Sequence, residues 1–234
     1  MSQKKIAAAL LGGLAISVFG GGAQAGVISY TDFPGGGTSF STGGFSISAT
    51  AGTFETKENG GSFGVGISSP ASVVPAEIDG GQTGVAESIN FLAGSQQLLN
   101  SFTVAFLYAA GNYGDAQNET ASIVINGTAY TLSVTGATTA DFDFSGTLVT
   151  NNSPGVTGSG GLWTVSFLNP FLLESISFAP GPNGGTDAPL GDYAFNQLVT
   201  SPVPGPIVGA GLPGLMMAFG GLVVLARRRR NHAV

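Results

Sequence analysis

The stretch Ser122-Ile-Val-Ile-Asn-Gly-Thr-Ala-Tyr-Thr-Leu-Ser-Val134 decides the fold class of this chain. Its Asn126-Gly127 pair stands between two runs of β-branched and aromatic residues, which is the strongest short-range signal for a hairpin with a two-residue loop. Such a loop pairs Ile125 with Thr128 and Ile123 with Tyr130. Because side chains alternate across a strand, one face of this hairpin should be apolar and belong to the core. The residues on that face are Ile123, Ile125, Tyr130, Leu132 and Val134.

The same alternation of apolar and polar residues recurs on both sides of the hairpin. The runs are Phe45-Ile47-Ala49, Ile89-Phe91, Phe102-Val104-Phe106-Tyr108, Phe142-Phe144, Trp163-Val165-Phe167, Ile176-Phe178 and Tyr193-Phe195. So many half-buried strands need a second sheet to cover them, which predicts an all-β, antiparallel two-sheet β-sandwich of the jelly-roll type. A right-handed β-helix is the alternative, although the sequence has no fixed short repeat.

Composition agrees with an exported all-β protein. Glycine accounts for 39 of the 234 residues, and charged residues make up only 9%, against about 25% in ordinary soluble domains. The absence of cysteine excludes disulfides, thiolate metal sites and a lipoprotein anchor. The runs between glycines lack the Ala/Leu/Glu/Lys mixture that is typical of helices.

The charges are distributed unevenly along the chain. Six of the seven basic residues lie at the termini, so Lys57 is the only cation between positions 26 and 206. All 13 acidic residues lie in that segment, and its formal charge is therefore 1 − 13 = −12. A surface with one lysine cannot neutralise phosphates, which excludes nucleic acid as a partner. Neutral glycans or divalent cations fit this segment better.

The N-terminus has the three parts of a signal peptide. Lys4 and Lys5 precede an apolar stretch from Ile6 to Phe19, and an A-x-A site follows at Ala23 and Ala25. We therefore expect residues 1–25 to be removed after export by the Sec machinery. An uncleaved anchoring helix is the alternative.

The C-terminus is predicted to span a membrane. Residues 207–226 carry no charge, and as a helix they would extend about 30 Å, the thickness of the hydrocarbon core of a bilayer. The four arginines at 227–230 would stay on the cytoplasmic side and leave residues 26–201 outside. A permanent single-pass anchor is one interpretation of this segment.

The tail as a whole, residues 202–230, resembles the sorting signal of the PEP-CTERM family. The resemblance rests on the proline motif Pro202-Val203-Pro204-Gly205-Pro206, one apolar span, and the cluster Arg227, Arg228, Arg229 and Arg230. The sequence Val203-Pro-Gly-Pro-Ile-Val-Gly-Ala-Gly-Leu-Pro-Gly-Leu215 looks like a subclass of those tails, with Gly205 where the namesake motif has a glutamate.

The resemblance implies a fate for the protein. In that family an exosortase is thought to cut near the proline motif and pass the ectodomain from the inner membrane to the cell surface or extracellular matrix. Members usually come from Gram-negative bacteria that make exopolysaccharide. We therefore expect a non-enzymatic surface or biofilm protein that associates with exopolysaccharide.

The residues that could carry chemistry are few. The sole histidine, His232, follows the arginine cluster, so the ectodomain cannot use serine–histidine or histidine–metal catalysis. Lys57 lies in a turn-like Glu-Thr-Lys-Glu-Asn-Gly context, which favours a solvated surface lysine. The alternative function, a secreted carbohydrate-active enzyme, would need a pair of Asp or Glu carboxyls in a cleft.

Several carboxylates could bind calcium, which takes six to eight oxygen ligands. Glu77 and Asp79 share one face of an extended segment, and Glu87 follows ten residues after Glu77. Asp115 and Glu119 flank a polar stretch. The alternative is that all these acids are exposed and only keep the protein soluble.

Overall fold

The structure is a computed structural model that describes residues 26–70, 72–80, 86–112, 116–153, 161–182, 191–203 and 220–222. The predicted signal peptide with Ala23 and Ala25 lies outside the described residues. So do Asp115, the tail residues Pro204, Gly205 and Pro206, most of the predicted span 207–226, and the arginines 227–230. Within the described ranges, no helix has the length and apolar character needed to cross a membrane.

The described residues form twelve strands and one 3₁₀ turn, Tyr30–Asp32, and the strand pairings within them are antiparallel. The prediction of an all-β antiparallel fold is therefore confirmed. The strands are β1 Gly26–Ser29, β2 Ser39–Thr42, β3 Phe45–Thr50, β4 Thr53–Asn59, β5 Ser62–Ser68, β6 Ser88–Ala105, β7 Thr120–Ile125, β8 Thr128–Gly136, β9 Thr139–Phe142, β10 Thr147–Asn151, β11 Trp163–Pro180 and β12 Ala194–Pro202.

The hairpin with the Asn126-Gly127 turn is formed by strands β7 and β8. Its register pairs Ile125 with Thr128 and Ile123 with Tyr130, as predicted. Asn126 and Gly127 both have positive φ, 49° and 82°, which is the backbone that a two-residue hairpin turn of this hand requires. The predicted apolar face is buried except for Tyr130, which is half-buried against the core.

Two strands of 18 residues each, β6 and β11, organise the sheet. They pair with each other along most of their length, interrupted by irregularities around 166–175. On its other side, β6 pairs with β3 through 88–93 and with β12 through 97–105. In the same way β11 pairs with β7 near its end and with β10 near its start. Each end of the two-stranded ribbon therefore carries its own set of neighbours.

The ribbon folds back over itself. Phe195 of β12 pairs with Val104 of β6, and Val104 is 104 − 91 = 13 residues from Phe91 on the same strand. Thirteen residues of straight strand would extend about 43 Å. However, the ring centroids of Phe91 and Phe195 are only 5.0 Å apart, so β6 must bend sharply between these positions. The irregularities in the β6–β11 pairing allow such a bend, because bulges bend strands.

The core lies in this fold and is rich in phenylalanine. The rings of Phe91, Phe178 and Phe195 contact one another, and Phe102 contacts Phe178 with centroids 5.6 Å apart. Trp163 is 1% exposed, and its indole N–H donates a 2.8 Å hydrogen bond to the carbonyl of Leu107. Edge-to-face and tilted aromatic pairs stabilise a core beyond the apolar area that they bury.

Candidate functional site

The outer face of strands β2, β3, β6, β11 and β7 carries a row of small polar side chains. The register places Ser48 beside Asn90, Asn90 beside Ser177, and Ser177 beside Val124. Ser39 extends the row onto β2, where it pairs with Ser48. Because side chains at positions i and i+2 point to the same side of a sheet, a second row should run parallel to this one.

The second row lies two residues away along each strand and has similar chemistry. Ser41 pairs with Ser46, Ser46 with Leu92, and Leu92 with Ser175. Leu92 is 62% exposed, which makes it an apolar side chain surrounded by hydroxyl groups. The core residues that alternate with these positions, Phe40, Ile47, Phe91 and Ile176, face the other side of the sheet.

Asn90 connects the polar side chains of this face. Its Oδ1 accepts a 2.6 Å hydrogen bond from the hydroxyl of Ser177. Its Nδ2 donates to the hydroxyls of Thr50 and Ser88, at 3.2 and 3.1 Å. The hydroxyl of Ser88 in turn donates to that of Thr50 at 3.0 Å. This network fixes the amide of Asn90 between β3 and β11.

The β7–β8 turn is fixed at one end of this face. The side-chain amide of Asn126 donates to the carbonyl of Leu172, and its Oδ1 accepts from the backbone N–H groups of Glu174 and Ser175. The backbone N–H of Asn126 also donates to the carbonyl of Ser175 at 2.9 Å. The irregular part of β11 is thereby bonded to a turn residue instead of a regular strand partner.

The two rows line a groove of about 550 Å³, together with Val124, Gly127 and the residues that alternate with the rows, Phe40, Ile47, Phe91 and Ile176. Two further depressions adjoin it. One, of about 450 Å³, shares Ser41 and Ser46 with the groove, and another, of about 230 Å³, shares Leu92. The third depression is also lined by Glu174. We call the three adjoining depressions together the serine groove.

The serine groove is suited to a neutral, hydroxyl-rich ligand. Among the described residues that line its main depression, none is charged. Serine hydroxyls and the asparagine amide can both donate and accept hydrogen bonds, which matches the hydroxyl groups of sugars. Leu92 and Val124 provide apolar surface for carbon-bound hydrogens. Few polar groups on an apolar background are typical of small-molecule binding sites.

The predicted calcium ligands lie elsewhere, and four of the five are buried. Glu77, Asp79, Glu87 and Glu119 are 3%, 0%, 1% and 2% exposed. The alternative that these four acids are exposed solubilising groups is therefore wrong. Such burial requires hydrogen-bonded partners, because an isolated buried carboxylate is strongly unfavourable.

Asp79 and Glu87 bond each other and the loop between β5 and β6. The Asp79 carboxylate accepts two 2.7 Å hydrogen bonds, from the backbone N–H groups of Val73 and Val74. Glu87 accepts from the hydroxyls of Ser69 and Ser72 and from the backbone N–H of Asp79. Burial raises the pKa of Glu87, and the nearby Asp79 charge adds to that effect, while the hydrogen bonds oppose it.

Glu119 takes part in a separate group of hydrogen bonds, with Tyr108 and Val134. Its Oε2 accepts a 2.6 Å hydrogen bond from the backbone N–H of Tyr108. Its own backbone N–H donates to the carbonyl of Tyr108 at 3.0 Å, and its carbonyl accepts from Val134 at 3.1 Å. Glu119 therefore connects the end of the β6 region to β8.

Glu77 contacts Lys57, the only lysine or arginine between positions 26 and 206. Its carboxylate forms an ion pair with the Lys57 ammonium, with the two side chains 4% and 28% exposed. The interpretation of Lys57 as a solvated surface lysine is therefore wrong, and so is its placement in a turn, because it lies in β4. Burial raises the pKa of Glu77 to about 8; Asp192 contributes in the same direction, and Lys57 opposes it.

Within the described ranges, no group of three or more His, Cys, Asp or Glu side chains is arranged to hold a metal ion. Calcium binding at Glu77, Asp79, Glu87, Asp115 and Glu119 stays a prediction.

Two residues of the sorting motif are described by the structure. Pro202 is the last residue of β12, and the backbone N–H of Val203 donates to the carbonyl of Gln96 at 3.3 Å.

The serine groove has a pattern in the sequence by which it could have been predicted. Three tripeptides have a core residue between two serines: Ser39-Phe-Ser41, Ser46-Ile-Ser48 and Ser175-Ile-Ser177. In a strand, such a tripeptide places both hydroxyls on one face. A scan of protein-family models and a search of curated proteins each found no match to this chain.

Proposed function

We propose that this chain is an exported, non-enzymatic protein of the cell surface or extracellular matrix that binds a neutral exopolysaccharide through the serine groove. The observation that carries the proposal is the groove itself, in which serine hydroxyls and the Asn90 amide are combined with apolar residues, and no side chain that lines its main depression is charged. Its adjoining depressions suit a polymer with several sugar units better than a single sugar.

The route to the surface is the second part of the proposal. Residues 1–25 direct export through the Sec machinery. The tail 202–230, which resembles a PEP-CTERM signal, holds the protein in the inner membrane until an exosortase-type enzyme cuts near Pro202 to Pro206. The proposal is supported by the order of the proline motif, the apolar span and the arginine cluster in the sequence.

We also propose that the sheet is a two-layer sandwich of the jelly-roll type. The support is the bend of β6 that brings Phe91 to Phe195, together with the different neighbours at the two ends of the β6–β11 ribbon. Strands that change layer at bulges or bends are known from sandwiches with orthogonal packing. The serine groove is then on the outer face of one layer.

The decisive experiment measures polysaccharide binding by groove variants and matched controls. Leu92→Asp places a carboxylate in the groove, and Leu148→Asp places one on β10 at a position that is similarly exposed, 57% against 62%. We expect the first variant to bind a neutral glucan about tenfold more weakly, which corresponds to about 1.4 kcal/mol. The second should bind like the wild type.

Asparagine substitutions test the same site without adding a charge. Asn90→Ala removes the amide that connects Ser177 and Ser88. Asn100→Ala is the control on the same strand, where the amide bonds Ser201 instead. Equal binding by both variants, or binding that falls steeply as NaCl is raised, would contradict a neutral groove site, because only charged contacts are screened by salt.

A hydrolysis screen on the same polysaccharides distinguishes the non-enzymatic proposal from the rival function, a secreted carbohydrate-active enzyme. Turnover that single Asp or Glu substitutions abolish would overturn the non-enzymatic proposal.

The proposed route to the surface is tested by measuring the intact mass of the protein released from cells. Released protein that still contains Arg227 to Arg230 would exclude processing of the tail and favour a permanent anchor.

A further inference from the structure

Three parts of the chain hold Lys57 beside the buried Glu77 carboxyl, which in turn interacts with the buried Asp192. Strand β4 places Lys57 opposite Gly64 of β5. The segment that contains Glu77 is bonded to β5 by a bridge between Ile67 and Glu77, and to the chain before β12 by a bridge between Ile78 and Tyr193. The residue before Tyr193 is Asp192, which is 8% exposed.

The Glu77 carboxyl lies between the amine and the second acid. It is paired with the Lys57 ammonium, and it also shares a side-chain hydrogen bond with Asp192. Two carboxyl groups can share a hydrogen bond only when one of them carries a proton. The Lys57 ammonium can supply that proton through Glu77, so the site contains an amine, one transferable proton and two buried carboxyl groups, while the Lys57 side chain is 28% exposed. The Lys57 ammonium also lies 5.5 Å from the centre of the Phe106 ring.

We propose that Lys57 and Asp192 condense to form an intramolecular isopeptide bond, with Glu77 as the proton carrier. The bond would join β4 to the start of β12, across 192 − 57 = 135 residues. The chain has no cysteine, so no disulfide can connect these strands.

The reaction needs no outside reagent. Glu77 takes a proton from the Lys57 ammonium and passes it to the Asp192 carboxylate, which leaves a neutral amine beside a neutral carboxylic acid. The lone pair of Nζ attacks Cγ of Asp192, and the carbonyl electrons move to oxygen. Glu77 then removes a second proton from Nζ and gives it to the Asp192 hydroxyl. The C–O bond breaks, one water leaves, and Glu77 is again a carboxylate.

The surroundings favour each step. Burial raises the pKa of Glu77 to about 8, so near neutral pH this group can both accept and release a proton. Fixed geometry replaces a bimolecular encounter with an intramolecular one, which greatly increases the rate of such reactions. Condensation also replaces the buried charge of Asp192 and the partly buried charge of Lys57 with a neutral amide, and a buried neutral group costs less than a buried ion.

Trypsin provides a direct test on the full chain. Lys57 is the only lysine or arginine between Lys5 and Arg227, and trypsin needs a free side chain to cut after it. The denatured wild type should therefore stay in one piece across residue 57. Mass spectrometry should find it lighter by one water than its sequence, with Lys57 and Asp192 in one cross-linked peptide. A chain that is cut after Lys57 and has its full mass overturns the proposal.

Single substitutions distinguish the Lys57–Asp192 isopeptide bond from an ordinary ion pair. Asp192→Asn should give the same cross-linked product with loss of ammonia, a result that an ion pair cannot produce. Asp192→Ala and Glu77→Gln should both be cut by trypsin after Lys57. Glu55→Ala changes an exposed acid on the same strand and should stay linked. A cross-link from Lys57 to Glu77 instead of Asp192 would overturn the assignment of the roles.

Thermal unfolding gives an independent measurement. A cross-link that closes a loop of this length restricts the unfolded chain, so we expect Asp192→Ala to melt roughly 10–20 °C below the wild type. Asp192→Asn, once linked, should melt within about 3 °C of the wild type. An Asn variant that is unlinked and melts like the Ala variant would overturn the proposal.

Discussion

Gly66 on β5 allows the segment that carries Glu77 to pass close to the sheet. A Cβ atom at position 66 would lie 2.5 Å from the carbonyl carbon of Ala76, and closer still to Cα of Glu77. Carbon atoms in ordinary contact are about 3.5–4.0 Å apart. Gly66→Ala must therefore displace the backbone of this segment by roughly 1 Å or more.

The displacement should be costly because backbone atoms cannot rotate away. Overpacking of this kind costs about 1–3 kcal/mol. The two hydrogen bonds that join Ile67 to the segment, each 3.0 Å long, contribute about 1 kcal/mol apiece. We expect Gly66→Ala to lower the free energy of unfolding by about 3–5 kcal/mol, which for a domain of this size lowers the melting temperature by roughly 10 °C.

The assay is urea unfolding followed by circular dichroism, with Gly35→Ala as the matched control. A Cβ atom at Gly35 would meet no other atom within 4 Å, so this glycine can be replaced without a clash. Its variant should be within about 0.5 kcal/mol of the wild type. A difference of less than about 1 kcal/mol between the two variants would refute the argument that Gly66 is required for the close approach.

Three further predictions concern single positions elsewhere in the fold. Gly127→Ala should cost about 1–2 kcal/mol in urea unfolding from its positive φ alone, since no atom is within 4 Å of the new methyl group. Trp163→Phe should cost about 3 kcal/mol by calorimetry, because the carbonyl of Leu107 loses its buried donor and the smaller ring leaves a void. Burial raises the pKa of Glu87 in the folded state, so the contribution of this group to stability is present below about pH 4.3 and is lost as the pH rises through the folded pKa. Glu87→Gln should therefore flatten the decline in stability that begins above about pH 4.3, measured by urea unfolding at a series of pH values.

Local signals in the sequence predicted the parts of the fold that depend on local chemistry. The β7–β8 hairpin has the predicted register because an Asn-Gly turn leaves only one way to pair the flanking residues. In contrast, the runs Ile89-Phe91 and Phe102-Tyr108 were treated as separate strands, although β6 extends continuously from 88 to 105. The residues between them, Gly94-Ser-Gln-Gln97, look like a turn. However, Gln97 pairs with both β11 and β12, and the backbone N–H of Gly94 donates to the carbonyl of Gly44 at 2.8 Å.

Strands that depend on distant partners were harder to predict. The β4–β5 hairpin, Thr53–Ser68, was missed because Lys57 and its acidic neighbours make the segment look solvated. Lys57 is tolerated in this strand because Glu77, twenty residues further along the chain, supplies a carboxylate. Sequence spacing alone cannot show a pairing of this kind.

The burial of five acidic side chains affects which ligands the surface of the protein can bind. The sequence has a formal charge of −12 between positions 26 and 206, which suggested strong repulsion at the surface that a bound cation would relieve. However, Glu77, Asp79, Glu87, Glu119 and Asp192 are all buried, and internal bonds hold the first four. Repulsion between exposed carboxylates is therefore weaker than the formal charge implies, because fewer of them face the solvent. A main depression without charged lining residues favours a neutral ligand on such a surface, since an anionic polymer would still meet the remaining exposed acids around it.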